Sequence, residues 1–147
     1  MSKIQMSLVI SSLIFSISSF AGQTSVFSVK PNPVSDDAAL IQAVTSHKQV
    51  SFVKAEGLVV SGLLKDDTNG SPHQKFNVKL TSGQVIMIVS NLDMCEKIPV
   101  QVGDVVGAGG QFIPTGKSGG LLHWTHKDPK KIRPDGFIEL GGRVFCQ

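Results

Sequence analysis

The sequence predicts a mainly β fold: a small five-stranded OB-like barrel with an N-terminal capped helix. Two observations predict it. Five strand-like segments follow one helix, with a short crossover between the third and the fourth, and two long turns follow strands one and four. This is the order of elements in an OB barrel. A sandwich of five to seven strands is the alternative, because periodicity alone does not separate the two architectures.

The first residues predict a cleaved signal peptide, residues 1–21. Lys3 gives a positive start, an apolar run interleaved with serines follows from Leu8 to Phe20, and Ser19 and Ala21 supply the small residues of a cleavage site. A periplasmic or secreted protein is therefore expected. No second apolar stretch follows, so we expect no transmembrane segment in the mature chain.

Residues 22–34 contain Pro31 and Pro33 and are expected to form a flexible leader, which leaves 35–147 as one domain. Its helix begins with Ser35, Asp36 and Asp37, where a hydroxyl and two carboxylates suit the positive end of a helix dipole. A narrow apolar stripe follows, formed by Ala38, Leu40, Ile41 and Val44.

The first three strands are predicted from alternation and turn residues. In 49–64, Val53 and Ala55 face inward, and Gly57 marks a change of pattern that predicts a bulge. Turn residues fill 65–72. In 73–80 the side chains alternate cleanly, and the turn at 82–83 leads to an apolar strand, 84–90. The inward-facing side chains of the second strand are Phe76, Val78 and Leu80.

The second half of the chain begins with a crossover over 91–99, of about one helical turn. A fourth strand, 100–113, is entered through Gly103 and Asp104. A glycine-rich loop, 114–120, precedes the fifth strand, 121–126, and residues 134–145 are expected to form a closing hairpin.

Two cysteines remain in the mature chain, and in an oxidising compartment such a pair most simply forms one disulfide. Joining Cys95 to Cys146 closes a loop of roughly 50 residues, which stabilises the fold by about 4 kcal/mol in the chain-entropy model. It also holds a C-terminus that otherwise frays.

Charge and motifs exclude several functional classes. The formal net charge is +3, and loss of Lys3 lowers it by one, so the chain lacks the footprint of a strong polyanion binder. There is no serine elbow, zinc-protease helix, phosphate loop or calcium loop.

The segment LLHWTHKDPKK, residues 121–131, holds the candidate chemistry. Three interpretations remain open: a divalent transition metal held by His73, His123 and His126 with Asp128; acid–base catalysis by His126 and Asp128; or polar groups that cap strand ends. In a regular strand His123 and His126 face opposite sides, so they converge only if the strand ends or bulges between them.

A binding site is expected where OB barrels bind ligands, across strands two and three beside the first and fourth loops. We expect both loops at one mouth of the barrel. The ligand is expected to be polar and anionic, with a weak case for nucleic acid from the basic residues 127–133, whereas the phenylalanines mostly fill buried positions and give no stacking surface. The expected ligand-binding residues are His73, Gln74, Asn91, Asp93, Lys117, His123, Trp124 and Lys127. A hydrolase, such as a phosphodiesterase or nuclease, would use the same groups.

The motifs at 57–76, 90–93, 103–112 and 119–137, above all HWTH-x-DP at 123–129, resemble the DUF3465 family of small exported bacterial proteins. The resemblance implies one secreted OB-like domain and supplies no reaction. Ser90 stands where the family pattern leads us to expect histidine, which would weaken a metal site if that histidine were a ligand. The two cysteines look like an addition in this chain.

Overall fold

A computed structural model describes residues 35, 37–66, 70–116 and 119–147. The predicted signal peptide, the leader, part of the helix cap and Lys117 lie outside the described residues. One helix and seven strands are found there: α1 (Asp37–Ser46), β1 (Val50–Val59), β2 (His73–Lys79), β3 (Val85–Asn91), β4 (Val105–Pro114), β5 (Gly120–His123), β6 (Phe137–Leu140) and β7 (Arg143–Phe145).

Alternation along β1 and β2 separates the core from the outer surface, as predicted. Val53 and Ala55 are buried on β1, and Phe76 and Val78 are buried on β2. The register continues this core across the sheet, since Phe76 pairs with Ile88 and Ile88 with Leu122. Side chains at the intervening positions therefore point outward.

The strands close into a barrel. Their order is β1-β2-β3-β5-β4, and a second pairing joins β1 to β4. All of these pairings are antiparallel except that of β3 with β5. The predicted OB-like barrel is thus confirmed. The hairpin β6–β7 is an addition that extends the sheet from β4.

Helix α1 packs against the barrel through Leu40, Ala43 and Val44, all buried in the core. Of the predicted stripe, Ala38 is exposed and Ile41 is half-buried. A small cavity next to the helix is lined by Val44, Gln84, Val85 and Gly119, so α1 lies at the end of the barrel where β3 begins.

Two expectations about local geometry were wrong. The irregularity in β1 falls between Val50 and Val53, while the ladder with β4 is regular from Val53 to Leu58. Gly57 instead permits a close crossing of strands, because an added Cβ would lie 3.0 Å from Cβ of Val78. The fifth strand also ends at His123, three residues earlier than predicted.

The disulfide between Cys95 and Cys146 is present, as predicted. It joins the crossover after β3 to the chain beyond β7. The hydroxyl of Ser90 lies 3.7 Å from the Cys146 sulfur. Ser90 is fully buried on the core face of β3, so this position does not face the predicted ligand surface.

Candidate functional site

The end of β5 positions the histidines. Because β5 runs parallel to β3, it carries His123 towards the end of the barrel where β3 finishes and β2 starts with His73, which pairs with Asn91. The strand stops there, and Trp124 has a φ of 59°, a left-handed conformation that L-residues with large side chains rarely adopt. The turn allows His126 to approach the same side as His123.

Four rings form a connected series, which we call the ring cluster: His73, His123, Trp124 and His126. Ring centroids are 6.2 Å apart between His73 and His123, and 6.1 Å apart between His123 and Trp124. Those of Trp124 and His126 are 4.9 Å apart. Residues some fifty positions apart in sequence are thus neighbours in space.

Thr125 and two glycines hold this turn in place. Thr125 is fully buried, and its hydroxyl donates to the carbonyl of Val89 over 2.9 Å. A Cβ on Gly110 would lie 2.4 Å from the His123 carbonyl oxygen, and one on Gly136 would lie 2.1 Å from that of Trp124. The backbone of the turn therefore packs directly against two other segments that must lack side chains there.

Trp124 lies at the centre of the series. The guanidinium carbon of Arg133 stands 4.4 Å from the centre of its ring, a cation–π arrangement. The indole Nε1–H is buried and has no hydrogen-bond partner within the part of the chain that the structure describes. Buried donors are nearly always paired in folded proteins, so this one is an exception that calls for a reason.

The electrostatic surroundings of His123 disfavour its protonated form. Burial lowers its pKa below the ordinary value of 6.5, and the charges of His73, His126 and Arg133 lower the pKa further. Three groups that are or can become cations therefore surround one half-buried imidazole. At neutral pH His123 is expected to be uncharged.

His73 is held at the start of β2 by Asp66. The backbone N–H of His73 donates to Asp66 Oδ2 over 2.8 Å, and His73 Nδ1 lies 3.9 Å from Oδ1. The same Oδ1 is 3.0 Å from the ammonium of Lys75. This carboxylate fixes the position of the imidazole and balances part of the local positive charge.

Asp128 serves its own loop. One oxygen accepts from the N–H of Lys130, and the other accepts from the N–H groups of Ile132 and Arg133. These bonds, that of Arg133 foremost, hold the pKa of Asp128 below its ordinary value although burial acts to raise it. Such bonding is what the capping interpretation requires.

His126 also turns towards its own loop. Its Nδ1 lies 2.8 Å from the carbonyl oxygen of Lys127, and because a carbonyl only accepts, Nδ1 carries the proton. Among the described residues no hydrogen bond joins His126 to Asp128. The geometry therefore offers no support for the predicted catalytic pair.

The predicted metal site finds no geometric support either. Within 35, 37–66, 70–116 and 119–147, no three His, Cys, Asp or Glu side chains are grouped so that they could hold a metal ion. His73 contacts His123 through its ring, His126 is joined to them through the Trp124 ring, and the Asp128 carboxylate is directed to backbone amides.

The remaining predicted ligand residues are scattered. Gln74 is buried on the core side, and its amide bonds both the N–H and the carbonyl of Ile98. Asn91 pairs with His73 and accepts from the Asp93 N–H, while Lys127 is exposed beside the cluster. Lys117 lies outside the described residues.

The two long loops do not share one mouth. The first loop leads into His73, whereas Gly119, in the second, has an ideal Cβ position 3.3 Å from the Val85 carbonyl oxygen at the opposite end of β3. The parallel pairing of β3 and β5 explains the difference, because β5 must run the length of the face before His123 reaches His73.

Sequence reasoning missed two partners of the site. Arg133 was grouped with the basic residues of the loop and not with Trp124, and Asp66 was treated only as a turn residue. For Asp66, the available signal was its spacing from His73 within the motif at 57–76. Stacking of Arg133 depends on the fold of the 127–135 loop, which spacing does not reveal.

Comparison with known proteins identifies a family but no activity. The family model described as "Protein of unknown function (DUF3465)" matches residues 22–146. No curated protein and no solved structure matches the chain. In the described part of the chain, no helix has the length and apolar character needed to cross a membrane.

Proposed function

Since this chain belongs to the DUF3465 family, whose description assigns no activity, we propose from the geometry that it is an exported OB-like domain that binds a polar, anionic ligand. The observation that carries the proposal is the ring cluster beside Arg133. It lies at one end of the outer face formed by β2, β3 and β5, where OB folds bind their ligands.

The charges near the cluster favour an anion. Arg133 and the three imidazoles lie close together, and positive charge on His73, His126 or Arg133 disfavours the protonated form of His123. Within the described residues no carboxylate lies within ion-pair distance of the Arg133 guanidinium. An anion placed between these groups would relieve the repulsion among them.

The unpaired indole of Trp124 supports the same proposal. Leaving a buried N–H without an acceptor costs about 1–3 kcal/mol, and an oxyanion is a strong acceptor. The left-handed backbone at Trp124 is a second local cost. Such costs are concentrated at functional sites, where the surrounding structure holds them.

Export is part of the proposal. The N-terminal segment has the features of a signal peptide, and the family match begins at residue 22, directly after the predicted cleavage position. The disulfide is of the kind that persists in oxidising compartments such as the periplasm or the exterior.

A histidine-dependent hydrolase is the second candidate, and the lowered pKa of His123 favours it. A neutral imidazole next to cationic groups suits a general base acting on a bound phosphodiester. The case for nucleic acid is weaker, because the outer face of β2, β3 and β5 carries no aromatic side chain other than the cluster itself.

The test combines binding, turnover and metal content on the purified protein. Inorganic phosphate, sulfate and citrate are titrated by calorimetry at low salt, a generic phosphodiester is assayed for hydrolysis, and bound metal is measured. We expect millimolar or tighter binding of at least one anion, and at least tenfold weakening in His126→Ala and in Arg133→Gln.

The matched control is His47→Asn, since His47 follows α1 and asparagine tolerates its left-handed backbone, with φ of 52°. This variant should bind like the parent. Turnover that disappears in His123→Gln, the variant that removes the proposed general base, would establish the hydrolase instead. Absence of both binding and turnover would refute the proposed site.

A further inference from the structure

The outer face of the barrel carries an apolar row next to the ring cluster. Asn77 pairs with Met87, Met87 with Leu121, and Leu121 with Ile113, so four neighbouring strands each contribute one side chain to a single line. All four are half-buried and point away from the core. We call them the outer row.

The outer row adjoins the cluster on β5, whereas on β2 Lys75 lies between Asn77 and the cluster residue His73. His123 follows Leu121 by two residues and pairs with Gln111, and Lys75, which precedes Asn77 by two, pairs with Val89. Two residues of a strand span about 6.7 Å. A ligand group bound at His123 is therefore within the length of a short hydrocarbon chain of the outer row.

The outer row is mainly apolar. Three of its four members are apolar, and none is charged. On β1 the outward positions mix charged and apolar side chains, with Lys54 and Glu56 between Phe52 and Leu58. Met87 is flexible and polarisable, and such side chains adapt to the shape of an apolar ligand.

We propose that the site binds a soluble organic anion with an apolar body, whose oxyanion contacts the ring cluster and whose hydrocarbon part lies on the outer row. This inference rests on the proposed anion binding and specifies the ligand class. Its ground is charge complementarity: the Arg133 guanidinium on Trp124 supplies a positive charge, and an uncharged, mainly apolar surface adjoins the cluster on the same face.

Three probes test it by calorimetry on the purified protein: inorganic phosphate, hexyl phosphate and 1-hexanol. Hexyl phosphate is expected to bind at least tenfold more tightly than inorganic phosphate, because several methylene groups leave water on the outer row. Hexanol alone should bind more weakly than hexyl phosphate by a similar factor.

Two variants locate the apolar contact. Leu121→Asn and Ile113→Asn should each remove most of the advantage of hexyl phosphate and leave the affinity for inorganic phosphate within about twofold. The matched control is Val144→Asn on β7, a strand that contributes no member of the outer row; its side chain is 47% accessible. It should leave both affinities unchanged.

The outcomes separate the inference from its premise. Equal affinity for the two phosphates would overturn the apolar contact and leave anion binding intact. No binding of either would overturn the anion site itself. If hexanol bound as tightly as hexyl phosphate, charge would have no role in binding. If the protein bound anionic phosphatidylglycerol vesicles but not hexyl phosphate, the ligand would be a membrane surface and not a soluble molecule.

Discussion

The loop 127–135 and the ring cluster are neighbours in the molecule, but they differ in how far their polar groups are hydrogen-bonded. Both oxygens of Asp128 accept backbone N–H groups, and a further loop amide, that of Asp128 itself, donates to Asp135. In the cluster, the indole N–H of Trp124 is buried without a partner, and the pKa of His123 is lowered by its neighbours. Satisfied groups shape the chain, whereas the unsatisfied ones are those that the proposed anion would pair.

The ring cluster depends on the loop for its geometry. One backbone hydrogen bond closes the loop, from the Gly136 N–H to the His126 carbonyl. A second, from the Lys127 N–H to the Cys146 carbonyl, ties the loop to the chain beside the disulfide. This frame holds Arg133 over Trp124. We therefore expect damage to the loop to disturb both stability and binding, and loss of the half-buried His123 side chain to disturb binding with little effect on stability.

The largest effect is expected at Gly136, where the loop and the cluster meet. In Gly136→Ala the added Cβ would lie 2.1 Å from the Trp124 carbonyl oxygen and 2.7 Å from the His126 nitrogen, both of them backbone atoms. The free energy of unfolding should fall by about 3 kcal/mol, measured by urea denaturation. Anion binding should weaken in the fraction that folds.

Gly62→Ala is the matched control, because nothing lies within 4 Å of its Cβ position. Its free energy of unfolding should stay level or rise by about 0.5 kcal/mol through the unfolded chain. If Gly136→Ala and Gly62→Ala lowered the free energy of unfolding by similar amounts, the close packing of the turn would not be a determinant of stability.

A smaller effect on stability is expected when Asp128, whose carboxylate accepts three N–H groups of the loop, loses its charge. Asp128→Asn keeps one acceptor oxygen but turns an amide NH₂ towards backbone donors, so the melting midpoint at pH 7 should fall by roughly 5 °C. Because the folded-state pKa of Asp128 lies below 3.8, its contribution is present above that pH and is lost as the pH falls through the folded-state value. The gap between parent and variant should therefore narrow in acid.

Asp104→Asn provides the comparison, since the Asp104 side chain accepts one backbone N–H among the described residues, that of Gln101. Its melting midpoint should fall by less than that of Asp128→Asn. A gap between parent and Asp128→Asn that stays constant down to pH 2 would show that the charge of Asp128 contributes nothing to the loop.

Most of the fold was predictable because a strand that is buried on one side has apolar residues at every second position of its sequence. Phe76 and Val78 required no knowledge of their partners. The site was predictable in part, for the convergence of His73 and His123 follows from barrel topology. The role of Asp128 was not, because a carboxylate near a histidine in sequence looks the same whether it faces the imidazole or its own backbone.

The smallest effect on stability and the clearest effect on function are expected at His123. In His123→Gln the free energy of unfolding at pH 8 should change by no more than about 0.5 kcal/mol, since the side chain is half-buried and makes no hydrogen bond among the described residues. Its folded-state pKa lies below 6.5, so in the parent the unfolded chain takes up this proton first, and stability falls as the pH drops below 6.5. The variant should lack that part of the fall between pH 8 and pH 5, and a ¹H NMR titration of the parent should show His123 titrating below 6.5 without ligand and at a higher pH with a bound anion. An imidazole that titrates at or above 6.5 in the free protein would remove the repulsion on which the contrast between cluster and loop depends.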